Sequence, residues 1–358
     1  MNSNKKITFE LLPHRELNKF QEFIRNYWKE GHLFAKETSI FDWQHKGPYN
    51  YNCMVAKQKG SFVGIHSFIP QSHFDEQLPK TQIFLTLFRA LDNRGIGIGL
   101  RLYNNVIKEI LPEFIGGIGM NPPLIGFHKW QGFKVDIMEH HVALSPYVNE
   151  FKVANVPKDL KVKFQKVNFF TSFQKLTGKK LRDMETNMLY LHQLPMKSDT
   201  YIINRYMNHP MYRYEVYAIS KDNMVQALCV IRPILKDDLV VLRLVDFIGP
   251  NENFPLLHDF VFDLLKSYNA EYLDLYSYGI PSSLLQKAGL INRKEVKNLI
   301  IPNYFEPFER KNTDIIIAYK CLLEHPAVRL FKGDSDQDRP NQIIDTTNNS
   351  RNQSCSVV

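Results

Sequence analysis

Three glycines at alternate positions, Gly95, Gly97 and Gly99, separate a mostly apolar run from a stretch with helical apolar spacing. No other segment restricts the fold as strongly. Thr81 to Ala90 predicts a buried strand. Beyond the turn Asn93-Arg94-Gly95, the residues Tyr103, Val106/Ile107 and Ile110/Leu111 predict a helix with one buried face, ending before Pro112. The chain must therefore pass from strand to helix through a turn stripped of side chains. Glycine lets a ligand approach the backbone, and the first N–H groups of a helix lack intrahelical acceptors and carry partial positive charge. Such a junction is built to cradle phosphate oxygens. A structural glycine turn that only caps the helix is the competing explanation, but a cap needs one glycine.

Two nucleotide-binding patterns fail at this turn. The dinucleotide fingerprint wants its third glycine where Leu100 stands, and no Gly-Lys-Ser/Thr follows for a P-loop.

The surrounding elements extend the pattern. A helix is predicted over residues 16–30, with Leu17, Phe20, Phe23, Ile24 and Trp28 inward, followed by a hairpin of strands 51–57 and 62–69. After the glycine turn and its helix come a strand at 114–120, a short helix, and a strand at 133–144. The second half runs in the same order: a hairpin at 214–231, a long strand at 239–248, a helix at 254–268, a strand at 271–276 and a short helix at 281–288. Pro48 precedes Ala56 by eight residues, as Pro210 precedes Ala218, and His128 to Phe133 occupies the place of Leu285 to Leu290. These parallels predict a tandem duplication. Its expected divisions are a ligand-binding domain over 1–150, a degenerate copy over 151–333 and a polar, disordered tail over 334–358.

Arg94-Gly95-Ile96-Gly97-Ile98-Gly99 resembles the coenzyme-A signature R/Q-x-x-G-x-G/A of the GNAT N-acyltransferase superfamily, through Arg94, Gly97 and Gly99. Gly132-Phe133 resembles the second half of that family's Tyr-x-x-x-Gly-Phe element, with His128 at the tyrosine position. The resemblance spans residues 40–145 by order of elements. It implies an α/β fold with a mixed, mostly antiparallel sheet flanked by helices. It also implies acetyl-CoA, or another acyl-CoA, as co-substrate. The amides of Gly95, Ile96, Gly97, Ile98 and Gly99 would then hold the pyrophosphate, and backbone at Phe88 and Ala90 the pantetheine arm.

Acyl transfer to an amine requires the amine neutral, and the departing thiolate benefits from a proton. His128 is the candidate donor, against the alternative of a surface histidine on a short helix. Glu139, His140, His141 and His66 are candidate bases, with water as the alternative, and the acid nearest the central strand is Asp92. Trp43 and His66 are candidates for an acceptor pocket, aromatic faces being suited to ring stacking, and core packing is the competing role. Asp334, Asp336 and Asp338 alternate like the start of a calcium loop, but Arg339 stands where its glycine belongs. They could instead reach an amine-bearing substrate, with a solvated turn as the competing and simpler role. In the second half the turn after Ile248 holds one glycine followed by Pro250, and Leu285 stands opposite His128, so that copy is expected to have lost the ligand.

The net charge of +8, from 45 basic and 37 acidic residues, attracts anions. Because the basic residues are dispersed, a phosphate-bearing ligand is expected ahead of nucleic acid. The four cysteines are far apart, which disfavours a disulfide framework or a metal site and fits a reducing cytoplasm. No apolar run is long enough to span a membrane, and no secretory signal opens the chain. The expected activity is N-acyl transfer to a small-molecule amine, an amino sugar of a surface-polysaccharide pathway or one carried on a nucleotide. A Fem-like transfer-RNA-dependent aminoacyl transferase and a non-catalytic acyl-CoA-binding module are the alternatives.

Overall fold

The computed structural model describes residues 6–91, 97–160, 167, 171–324 and 327–340. Its first half contains β1 (Ile7–Pro13), α1 (Leu17–Tyr27), α2 (Leu33–Lys36), α3 (Thr38–His45), β2 (Asn50–Gln58), β3 (Ser61–Pro70) and β4 (Gln82–Ala90). These are followed by α4 (Ile98–Ile110), β5 (Phe114–Ile118), α5 (Ile125–Trp130), β6 (Lys134–Ile137) and β7 (Glu139–Leu144). The second half brings β8 (Thr171–Leu176), α6 (Gly178–Arg182), α7 (Asp199–Ile202), β9 (Glu215–Lys221), β10 (Met224–Lys236) and β11 (Leu239–Ile248). Then come α8 (His258–Ser267), β12 (Tyr272–Tyr278), α9 (Ser282–Lys287) and β13 (Ile291–Asn292). The small hairpin of β14 (Tyr304–Phe305) and β15 (Phe308–Glu309) precedes β16 (Ile316–Cys321) and β17 (Leu330–Phe331).

The expected fold class holds: two mixed, mostly antiparallel sheets are flanked by helices, and the same order of elements recurs in both. One sheet runs β1-β2-β3-β4-β5-β16-β6, and the other runs β8-β9-β10-β11-β12-β7-β13. In each, one central pair is parallel, β4 with β5 and β11 with β12. Parallel strands need a crossover, and α4 and α8 supply it. Ile98, Leu102, Tyr103 and Val106 of α4 are buried against the first sheet, and Phe260, Val261, Leu264 and Leu265 of α8 against the second. Each such side chain contributes about 1.5–3 kcal/mol of burial.

Strand pairing crosses the expected boundary at residue 150. The single strand anticipated over 133–144 breaks at the buried Met138, whose N–H bonds to Ile315 O at 2.9 Å. Before the break, β6 lies at the edge of the first sheet. After it, β7 enters the second sheet between β12 and β13. The second half returns the exchange, with β16 lying between β5 and β6. Burial patterns account for the break: β6 is largely exposed, whereas β7 is buried from its second residue onward.

The expected disordered tail needs a second correction. Gly333 to Pro340 is threaded into the interior, with Asp334, Ser335, Asp336 and Asp338 all buried. Polar residues are held there largely by charged partners from the second half. Arg205 donates to Gly333 O at 3.0 Å and also to Ser335 O, while Lys197 Nζ lies 2.7 Å from Asp246 and 2.9 Å from Asp334. Asp338 accepts from Arg232 Nη1 at 2.8 Å and from Tyr214 OH at 2.6 Å. Residues 341–358 of the expected tail lie outside the described residues.

Fragments cut at residue 150 should fail to fold separately, because each half lacks an interior strand of its own sheet. The first 150 residues expressed alone should show neither a cooperative melting transition nor dispersed amide resonances, and mixing in the other fragment should restore both. A cooperative transition in the isolated fragment would contradict the reciprocal exchange.

Candidate functional site

The site begins where β4 leaves β5. Parallel pairing runs only through Gln82↔Phe114, Ile83↔Ile115 and Phe84↔Gly116. The cause lies on the other edge of β4. Between the pairs Phe68↔Leu85 and His66↔Phe88, β4 advances three residues while β3 advances two. That extra residue is a bulge, which bends and twists the strand that carries it. Past it, β4 turns away from β5 and leaves peptide groups without a neighbouring strand on that side.

The splay opens a cleft of about 620 Å³. One wall is the outer stretch of β4 from Leu85 to Leu91, which includes Phe88 and Ala90, and the start of α4 at Gly97, Ile98 and Gly99 closes one end. The opposite wall is the chain after β5, from Ile118 to Asn121 with Pro123 and Leu124. Trp28 and three residues of the C-terminal segment, Asp336, Gln337 and Arg339, complete the lining.

Gly97 caps α4 in the left-handed region at φ +74°, a conformation that favours glycine, and a β-carbon there would project into open space. A β-carbon at Gly99 would come within 2.8 Å of the Phe88 ring, so this glycine lets α4 start directly over β4. The first bond inside α4 is Arg101 N–H to Gly97 O at 3.0 Å. The N–H groups of Ile98, Gly99 and Leu100 precede it and have no carbonyl within the helix to accept them. Arg94, Gly95 and Ile96 lie outside the described residues, as does Asp92. On the β4 wall, Thr86 Oγ1 is buried without a hydrogen-bond partner among the described residues. A bare helix start and an orphaned hydroxyl in one elongated cleft fit a ligand with phosphate at one end and a polar, flexible arm.

The other predicted site residues lie elsewhere. His128, on α5, is buried against Phe127 and Phe133 and does not line the cleft. Burial pulls its pKa down to about 4, so the ring is neutral at pH 7 and carries no imidazolium proton to donate. His66 packs its ring against Phe88 on β3, and its pKa is lowered to about 3 by burial and by His128. Trp43 joins the two halves: its Nε1 donates to Asn204 O at 3.2 Å, and its ring lies against Phe74 and His209 and under Arg205. His140 and His141 are held in β7 by Asp274 and Ser282, and Glu139 lies at the start of that strand. The cleft brings together Phe88, Ala90, Gly97, Ile98 and Gly99 from the expected set and excludes His128, His66 and Trp43.

In the sequence Asp336 is marked only as one of three alternating aspartates that could reach an amine-bearing substrate. Asp336 is the one carboxylate among the described residues lining the cleft, held by the Gln337 amide at 3.2 Å and by Arg339 Nη2 at 3.2 Å. The alternating aspartates were visible, but nothing local shows that the segment is carried back across both sheets.

In the second half, β11 and β12 pair in parallel only from Leu242↔Leu273 to Leu244↔Leu275, and β11 carries the corresponding extra residue opposite β10. There the splay is filled. β17 pairs with β12 through Ser277↔Phe331 and Tyr278↔Leu330, while Gly333 N–H bonds to Val245 O on β11 at 2.9 Å. The chain thus occupies its own second cleft.

Neither a family model nor a curated protein sequence matches the chain. Among solved structures it is similar to a GCN5-related N-acetyltransferase from Anabaena variabilis, with a TM-score of 0.54 at 10% identity over 89% of this chain and 73% of that one. It is also similar to a protein of unknown function from Enterococcus faecalis described as a probable N-acyltransferase, with a TM-score of 0.51 at 6% identity over 88% and 73%. At such identities the likeness establishes the fold alone, a GNAT-like one.

His128→Phe should remove a proton-linked cost of folding. A histidine whose folded pKa lies below its unfolded value stabilises least in acid, where the unfolded chain takes up the proton. Stability should therefore fall from about pH 6.5 toward pH 4 in the native chain and fall less in the variant. Melting temperatures measured across that range check this, and an identical profile for both chains would contradict the buried neutral ring.

Proposed function

We propose that the chain is an N-acyltransferase that passes a short acyl group from coenzyme A to a small-molecule amine. The observation that carries this reading is the open splay of β4 from β5, ending on a glycine-bared helix start. Amides of Gly97, Ile98 and Gly99, with Arg94, Gly95 and Ile96 before them, would take the pyrophosphate. The unpaired edge of β4 near Phe88 and Ala90 would hold the pantetheine arm by main-chain hydrogen bonds, and Thr86 Oγ1 supplies a further polar contact. The thioester carbonyl would then lie between the diverging strands.

Asp336 is the general base of this scheme. An amine arrives largely as ammonium and must lose a proton before its lone pair can attack the thioester carbon. The carboxylate receives that proton, a C–N bond forms, and the C–S bond breaks with its electron pair leaving on sulfur, which takes up the second proton shed by the new amide nitrogen. Arg339 and Gln337 fix the carboxylate's orientation. The sheet of the second half presents this acid, since its splay grips the chain immediately upstream. An amino sugar remains the acceptor implied by the family resemblance. No helix among the described residues is long and apolar enough to cross a membrane.

Two variants test the scheme. Gly97→Val would force a β-branched residue into the left-handed region at a cost of about 1–3 kcal/mol and place its side chain in the cleft. It should abolish the rise in melting temperature caused by acetyl-CoA in the native protein while leaving a folded chain. Asp336→Asn should keep acetyl-CoA binding but lower turnover by roughly 10²–10⁴-fold, measured as free-thiol release with a panel of amines. Coenzyme-A stabilisation without turnover on any amine would favour a binding module. Transfer-RNA binding without that stabilisation would favour the Fem-like alternative.

A further inference from the structure

A second, smaller cavity shares Gln337 and Arg339 with the cleft and extends from there into the second half. Its free volume of about 20 Å³ holds one small polar group rather than a ring. Four cations line it, Arg232, Arg243, Lys332 and Arg339, against two carboxylates, Glu306 and Asp338. Most of these charges are already matched. Arg232 is bound to Asp338, Arg243 to Asp274 at 2.7 and 2.8 Å, Arg339 to Asp336, and Glu306 accepts from Tyr212 OH at 2.8 Å.

Lys332 is the exception. Its side chain is buried, its Nζ donates to the Asn303 side-chain oxygen, and no carboxylate of the described residues lies within ion-pair distance. The rings of Tyr276 and Tyr304 lie 5.6 and 5.9 Å from the nitrogen, which favours a cation there without replacing a counter-ion. Arg339 adds a second orphan, since its Nε is buried with no hydrogen-bond partner among the described residues. A buried ammonium without an anion is costly. Burial and the neighbouring Arg243 guanidinium accordingly hold the Lys332 pKa well below the usual lysine range. An incoming anion would reverse that balance and bring a proton with it.

We propose that this cavity is the subsite for an anionic oxygen group, a carboxylate or a phosphate, carried by the amine acceptor, with Lys332 and Arg339 as its ligands. The assignment to the acceptor rests on the acyl-transfer reading, because the two cavities meet at the segment that carries Asp336. An acidic group seated against Lys332 would leave the acceptor's amine on the cleft side of Arg339, toward that carboxylate. The acceptor is then an acidic amine, and its neutral counterpart is discriminated against because it leaves the lysine unpaired.

The test has two arms. In the first, calorimetry with acetate and with inorganic phosphate, without any coenzyme A, measures the anion site alone. The native protein should bind one of the two, which tells a carboxylate subsite from a phosphate subsite, and Lys332→Met should lose that binding at least tenfold. Asn303→Asp gives the lysine a permanent counter-ion, so this variant should fold at least as stably as the native chain and also lose the anion. Equal binding by native and variant proteins, or none by the native one, would overturn the proposal. In the second arm, acyl transfer is compared between an amino acid and its amide, and between an amino-sugar phosphate and the free amino sugar. The acidic member of one pair should be favoured at least tenfold in kcat/KM. Lys332→Met should raise its KM about tenfold, the cost of one charged contact, without changing the KM for acetyl-CoA. Equal use of acidic and neutral amines would overturn the proposal. Anion binding in the first arm with no response to acetyl-CoA would instead defeat the acyl-transfer reading and leave the anion site standing.

Discussion

A residue gained by one strand bends and twists it away from a neighbour that has not gained one, and the site follows from that constraint. A bulge in β4 opposite β3 adds twist on one edge, and the pairing with β5 ends after Phe84↔Gly116. Peptide groups left without a strand partner must find water or a ligand. The helix that crosses over between the strands then starts beside the opening, so its unpaired N–H groups face the same space. The glycines permit this closeness: Gly99 lets α4 sit on the Phe88 ring, and Gly97 supplies the left-handed entry.

The same geometry occurs twice with opposite outcomes. In the second half the divergence of β11 from β12 is satisfied internally by β17 and by the Gly333 N–H bond to Val245 O. A β-carbon on Gly333 would approach Val245 O at 2.6 Å, so the insertion leaves no spare room. That sheet therefore needs no bare glycine turn, and Gly249-Pro250 can stand where the first half has its cradle.

Much of this was legible in the residues. Apolar periodicity placed β2 to β5, α4, β9 to β12 and α8 within a few residues of their observed bounds, because each has a buried face that must repeat with its own period. The glycine turn located the wall of the cleft for the same local reason. What stayed hidden depends on long-range contacts. Nothing at Met138 announces that the chain changes sheets, since β6 and β7 read as one continuous strand until their partners are known. Aspartates between Gly333 and Pro340 look solvated because Arg205, Lys197, Arg232 and Tyr214, which satisfy them, are distant in sequence. His128 looked available on a short helix, and only the packing of Phe127 and Phe133 around it shows why its ring is dry and neutral.

The buried charges tie the second half to the cleft of the first. A segment as polar as Asp334 to Arg339 can be held inside only where each ion meets a fixed partner, because several kcal/mol of desolvation oppose each one. The second half supplies those partners from its sheet and its helical segments, in Lys197, Arg205, Arg232 and Asp246. Their combined grip fixes the chain immediately before and after Asp336, and so sets an acid from one half against the opening in the other. Exchange of β7 and β16 reinforces this, since neither sheet can shift without carrying an interior strand of its partner. The first half contributes the opening and the second positions the acid, so the cleft is complete only in the joined molecule.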